Sequence, residues 1–263
     1  MSSRRRFIVA ACALHVLGGC ASLVPAPRVA IPGPDEALAA WSRVLDSFVD
    51  ARGTVDFEAL SRDRSDLDRY VRFVAETRLD TSAGAPHRLA HMINAYNALA
   101  MFNVIESGIP HSHAGLNKLV FFVGRKLQVG GQAMSLYHFE NEVIRPFTRR
   151  LGDPRVHFAL NCMALSCPVL PRVPFAPGLL DEQLERESRA FFARPQNFRI
   201  DAAARTVWLN EVLKFYSEDF VPAHGRNLIE YANRFAPQPA PLDHTIAFTP
   251  CDWTIANRRR TGG

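Results

Sequence analysis

Between Asp153 and Leu170 the chain places a histidine, an asparagine and two cysteines within eleven positions, His157 to Cys167. An imidazole close to a thiol is the pairing that nucleophilic cysteine chemistry uses, the ring holding the proton while the thiolate attacks an acyl carbon. Val156 to Leu160 is apolar apart from His157 and reads as a buried strand. Two cysteines then compete for the role. Cys162 leaves that strand into small residues, where a tight turn would expose it, and is preferred. Cys167 can fold back beside His157, but its place before Pro168 argues against a helix N-terminus lowering its pKa. Asn161 or Asn94 could donate to the oxyanion. Such a site needs no metal and no cofactor. The same spacing also suits a short disulfide between Cys162 and Cys167, with His157 as a satisfied core residue.

The elements around this stretch read mostly as helices at first. Asp35 caps a helix to about Ala51, with Leu38, Trp41, Leu45 and Phe48 on one face. Leu60 to about Arg78 repeats the pattern. Ala85-Pro86 opens a helix from His87 to Ser107 that is apolar nearly all round, hence central, with Asn94, Tyr96 and Asn97 needing partners. Leu119 to Ser135 reads as a glycine-punctuated hairpin beginning with a strand, and Ser135 then caps a helix that Pro146 ends. Leu179 to Phe192 is amphipathic, Phe198 to Leu209 a hairpin, Glu211 to Phe220 short and aromatic, and Asn227 to Phe235 the last helix. The region after Pro237 reads as irregular. His87, His91, His111 and His113 raise a metal reading, but there is no H-E-x-x-H, no acidic partner in the cluster and no matching cysteine pair.

The 263 residues are 48% hydrophobic and 22% charged, which allows a sizeable core. The formal net charge of +5 is concentrated at the ends, in Arg4 to Arg6 and Arg258 to Arg260. The body is near neutral, which excludes nucleic-acid binding as an expectation. Residues 1–19 have the basic start, short apolar run and small-residue ending of a secretory signal peptide, too short to span a bilayer. The small residues before Cys20 resemble the bacterial lipoprotein box, which implies lipidation of Cys20 and, through Ala21, an outer-membrane destination facing the periplasm. Export by the general or the twin-arginine route is left open. Residues 20–34 read as a flexible, lipid-anchored tether, 35–257 as one domain and 258–263 as a basic tail. Cys162, Cys167 and Cys251 then remain in the folded part, as one disulfide and a free thiol or as three free thiols.

Several motifs, in order along residues 50 to 255, resemble a bacterial family known as the domain of unknown function 547. They are Gly53-Thr-Val-Asp-Phe-Glu-Ala-Leu60, Ile93-Asn-Ala-Tyr-Asn-Ala-Leu99, Ser135-Leu-Tyr-His-Phe-Glu-Asn-Glu-Val-Ile-Arg145, Asp153-Pro-Arg-Val-His-Phe-Ala-Leu-Asn-Cys162, Ser166-Cys-Pro168, Tyr216-Ser-Glu-Asp-Phe220 and Asp252-Trp253. The chain departs from the family at His91-Met92, where a tryptophan is usual, and at Thr254-Ile-Ala256 after the Asp-Trp pair. The resemblance implies a papain-like or transglutaminase-like arrangement of cysteine, histidine and acid, on Cys162 or Cys167, His157 and Glu140, with Glu140 orienting the imidazole.

The expected architecture is therefore a single α+β domain, its helical N-terminal half packed on a small, mostly antiparallel sheet. The expected function is amide or peptide bond hydrolysis or acyl transfer in the cell envelope, on peptide or cell-wall-like substrates, with the membrane reached through the N-terminal lipid. The alternative is a non-enzymatic envelope binding or scaffold protein stapled by a Cys162–Cys167 disulfide.

Overall fold

The computed structural model describes residues 22–78 and 82–261. The expected signal peptide and the lipidated Cys20 lie outside the described residues. Helix α1, Pro34–Phe48, starts with proline in its first turn beside Asp35 and Glu36, where fixed φ and negative charge both favour initiation. Its buried residues Ala37, Ala40, Trp41, Val44 and Leu45 recur three or four apart and face helix α3, with Trp41 stacked on Tyr70 at 5.4 Å. One helix was expected from Leu60 to Arg78, but there are two. Asp56 caps α2, Phe57–Arg62, by accepting from Ala59 N at 2.9 Å, and the chain turns at Asp63-Arg64 before α3, Ser65–Glu76.

Helix α4, Ala85–Glu106, runs through the larger of two apolar clusters. Its three buried asparagines act as brackets for other segments. Asn94 pairs with both backbone groups of Phe175, Asn97 with Ala159 O and Asn161 N, and Asn103 with Phe121 O and the Arg125 guanidinium. Polar groups inside an apolar helix thus take up backbone groups that no ladder satisfies.

After α4, α5 (Leu116–Leu119) passes into a π-helical turn, Val120–Gly124, where a strand was expected. An apolar run this short has no diagnostic period, and burial of Phe121 against His113 settles its form. The hairpin itself is β2, Arg125–Val129, and β3, Gln132–Met134, turned by Gly130 and Gly131 at φ 58° and 81°. Strand β1, Ser22–Leu23, pairs parallel with β2, and Val24 is buried. The segment read as a flexible tether is therefore held on the domain over this part, because an edge strand offers it hydrogen bonds.

Ser135 caps the next helix as expected, accepting from His138 N. Pro146 does not end it. Helix α6, Leu136–His138, widens into a π segment, Phe139–Ile144, and continues as α7, Arg145–Leu151, stopping at left-handed Gly152. The widened turn falls where Pro146 has no N–H to give, so the helix survives the proline.

The expected strand at Val156–Leu160 is a 3-10 helix, Pro154–Phe158, started by the Asp153 side chain on Arg155 N and by Pro154 in the first turn. Capping chemistry overrides β propensity here. Then come a 3-10 turn, Pro177–Leu179, and α8, Leu180–Phe192. A second sheet joins β4 (Phe198–Asp201), β5 (Thr206–Asn210) and β6 (Thr245–Thr249), β4–β5 antiparallel and β5–β6 parallel. Strand β6 lies in the region read as irregular. Short helices α9 (Val212–Phe215), α10 (Ser217–Phe220) and α11 (Leu228–Ala232) pack with α8 and this sheet around Phe158, Phe192 and Tyr231 in a second apolar cluster.

The fold class is α+β, but with two separate three-stranded sheets, each holding one parallel and one antiparallel pair, in place of a single mostly antiparallel one. The basic tail is also docked: Arg258 and Arg259 of α12, Arg258–Thr261, both bond Asp56, and Arg260 bonds Ile109 O and Pro110 O. Just before it, Asp252–Asn257 threads between the His111–His113 loop and the Met163–Ser166 loop. His113 N bonds Trp253 O, Leu165 N bonds Thr254 O and Ala256 N bonds Met163 O.

Candidate active site

Val156 belongs to the first apolar cluster and Phe158 to the second, so His157 sits where the two meet, 3% exposed. Its Nε2 is 2.8 Å from Asp219 Oδ2, and its ring lies on Tyr216 at 4.2 Å. Asp219 also accepts from Arg145 Nε at 2.8 Å and Arg149 Nε at 2.5 Å. Burial pushes the Asp219 carboxyl up, but the hydrogen bonds from His157, Arg145 and Arg149 outweigh it and hold it well below the usual carboxylate range. Asp219 therefore stays ionised and fixes the imidazole, leaving Nδ1 as the ring nitrogen free for proton transfer.

Glu140 was expected in that orienting role and does not fill it. Its Oε2 takes the Tyr96 hydroxyl at 2.7 Å and its Oε1 the Tyr216 hydroxyl at 2.5 Å. Burial and the neighbouring carboxylate raise both phenols, which stay protonated as donors. Glu140 thus reaches His157 only through the Tyr216 ring. The acid that does hold the histidine, Asp219, lay inside the motif Tyr216-Ser-Glu-Asp-Phe220. An acidic residue placed in a short aromatic segment was the available signal.

The cysteines share one tight loop. Asn161 Oδ1 accepts from Met163 N and its Nδ2 donates to Pro168 O, both at 2.6 Å, closing the loop while Met163 adopts a left-handed φ of 67°. Asn161 is therefore spent on the loop, and Asn94 on Phe175, so neither amide serves as an oxyanion donor. His113, one of the four histidines of the metal reading, instead bonds Cys162 O through Nε2 at 3.0 Å. His91 packs edge-on to Phe73, and no group of three or more metal-ligating side chains gathers among the described residues.

Cys162, Cys167 and Cys251 are free thiols. Cys162 N–H points at Cys167 Sγ at 3.3 Å. The hydrogen bond to Cys167, with burial, raises Cys162 well above the ordinary thiol range, while the hydrogen bond from Cys162 lowers Cys167 against the effect of burial. Of the two thiols, Cys167 is the one whose ionisation is favoured. Cys162 was the expected nucleophile, and a helix N-terminus at Cys167 was not expected; the Cys162 N–H nevertheless supplies a donor to Cys167 Sγ. Cys251 is pushed up to about 12 by burial.

The three thiols, His157, Glu140 and the Tyr96 and Tyr216 phenols line one cavity of about 590 Å³. Tyr96, Glu140, His157, Cys162, Cys167 and Tyr216 form its polar side. Leu119, Phe122, Val123, Val212, Phe215 and Trp253 supply apolar lining, with Lys118 Nζ 3.7 Å from the Trp253 ring centroid. A mostly apolar cavity with a few convergent polar groups is the form small-ligand sites take.

The arrangement defines an α+β domain in which a dithiol and an aspartate-held histidine face one cavity. Residues 81–192, from just before α4 to the end of α8, match the model of a family described as a protein of unknown function, DUF547. The match holds Tyr96, Glu140, His157, Cys162 and Cys167, while Tyr216 and Asp219 lie beyond it. No curated protein and no solved structure matches the chain.

Proposed function

We propose that the cavity carries out cysteine-dependent acyl chemistry, hydrolysis or transfer at an amide or ester carbonyl, with Cys167 as nucleophile and His157, held by Asp219, as acid–base. The observation that carries this reading is the lowered Cys167 thiol in the same cavity as a buried His–Asp pair. The Cys167 thiolate adds to the acyl carbon, and the leaving group departs with a proton from His157. Water, or a second nucleophile that gives its proton to His157, then releases the acyl group from sulfur. The apolar lining favours an acyl donor with an apolar group beside the scissile carbonyl. Peptide or cell-wall-like acyl compounds fit this reading if the chain is exported and lipid-anchored through Cys20, an arrangement that rests on the sequence alone. No helix among the described residues is long and apolar enough to cross a membrane.

Incubation of the reduced protein with an activated ester such as p-nitrophenyl acetate, followed by peptide mass mapping, tests the proposal. The expected result is an acyl group on Cys167, absent in Cys167→Ser and formed roughly 10²–10⁴-fold more slowly in His157→Ala. Acylation that falls on Cys162, or that proceeds unchanged without His157, would sink it.

A further inference from the structure

Two sulfurs in one clamped loop offer a second chemistry. Cys167 and Cys162 are five residues apart, and the Asn161 side chain bridges the start of the loop to Pro168 O at 2.6 Å. The Cys162 N–H is 3.3 Å from Cys167 Sγ, and both residues line the cavity. An S–S bond of about 2.05 Å between them would close a ring within this one loop. The third thiol, Cys251, donates to Asn210 Oδ1 at 3.6 Å and stays protonated, so it does not compete.

We infer that Cys167 and Cys162 form a reactive dithiol that exchanges with small disulfides entering the cavity, Cys167 attacking and Cys162 resolving. In the first step the Cys167 thiolate bonds to one sulfur of the incoming disulfide, and the electron pair of its S–S bond leaves on the other sulfur, which departs as a thiolate. Cys162 then gives its proton to a departing thiolate and attacks Cys167 Sγ. That expels the second thiolate and closes the Cys162–Cys167 bridge. The dithiol loses two electrons and the small disulfide is reduced to two thiols. The assignment of roles follows from the geometry: the Cys162 N–H points to Cys167 Sγ, so thiolate is favoured there and Cys162 is adjacent to the mixed disulfide that results. The bridge also removes the nucleophile of the proposed acyl chemistry, a consequence that rests on that reading.

The reduced chain is exposed to oxidised and reduced glutathione in graded ratios, acid-quenched, alkylated and peptide-mapped. The wild type is expected to gain the Cys162–Cys167 bridge and to lose it again when reduced glutathione is restored. Cys162→Ser should instead hold one glutathione on Cys167, and Cys167→Ser should take up glutathione on Cys162 at least tenfold more slowly. A wild type that keeps glutathione on Cys167 without bridging, or that does not react at either position, would overturn the inference. The wild-type mapping decides even if a variant fails to fold. Acylation at Cys167 without bridging removes this inference alone, and bridging without acylation removes the acyl reading alone.

Discussion

At the residue scale the site works by pairing each titratable group with a neighbour that fixes its charge. Asp219 is held ionised by His157 and two arginines, and Cys167 draws on the Cys162 N–H. His113 is the exception that shapes pH behaviour. It is fully buried, its Nε2 donates to Cys162 O, and its Nδ1 has no partner. Burial lowers its pKa to about 4, against the hydrogen bond to Cys162 O that raises it. The unfolded chain, with a histidine near 6.5, binds more protons than the folded one between those values. This contribution is therefore fully present above about pH 6.5 and is lost as pH falls toward 4. The loss is about 3 kcal/mol, from 1.36 kcal/mol per pKa unit. Urea unfolding across this window should show the slope in the wild type and a flatter profile in His113→Gln. An unchanged slope would contradict the buried neutral imidazole.

At the scale of elements, α4 positions the site more than any catalytic segment does. Asn97 Nδ2 donates to Ala159 O at 3.0 Å and its Oδ1 accepts from Asn161 N–H at 2.8 Å, so it fixes the exit from the 3-10 turn that carries His157 and the entry to the cysteine loop. Asn97→Ala leaves two buried backbone groups unpaired, at about 1–3 kcal/mol each. We expect a stability loss of about 2–6 kcal/mol in denaturant melts, together with slower alkylation of Cys167 by iodoacetamide in protein that remains folded. Gly53 shows the same dependence on distant backbone. At φ 78° a Cβ there would meet Leu170 N at 2.7 Å, so the turn after α1 is packed directly against the chain leaving the cysteine loop.

At the scale of the whole molecule, the last described residues hold the first and middle parts of the chain together. Ile255 is fully buried, and its N–H bonds His111 O while the next residue bonds Met163 O. The C-terminal strap thus fastens the loop of His113 to the loop of Cys162 and Cys167. Ile255→Ala should cost about 2–5 kcal/mol, the usual range for truncating a buried isoleucine. Thermal unfolding followed by circular dichroism reads this directly. A melting temperature equal to the wild type would mean that the strap contributes nothing to the core.

The sequence by itself determined what depends on near neighbours. The all-round apolar character of α4, the Ser135 cap, the two hairpins and the His157–Cys167 window are all written in runs of a few residues. The tertiary structure decided what depends on partners far along the chain. Asp219 is 62 positions from the histidine it holds, and β6 finds its parallel partner across the three short helices α9 to α11. Glu140 was drawn away by two phenols, one on α4 and one after β5. Even within the cysteine loop, spacing left the order of the two thiols open. It took the direction of one backbone N–H, fixed by the Asn161 clamp and the His113 bond to Cys162 O, to favour ionisation at Cys167. Hydrophobic period and capping act over one or two turns of chain, whereas hydrogen-bond partners and burial are set by packing, and packing brings together residues that no local pattern connects.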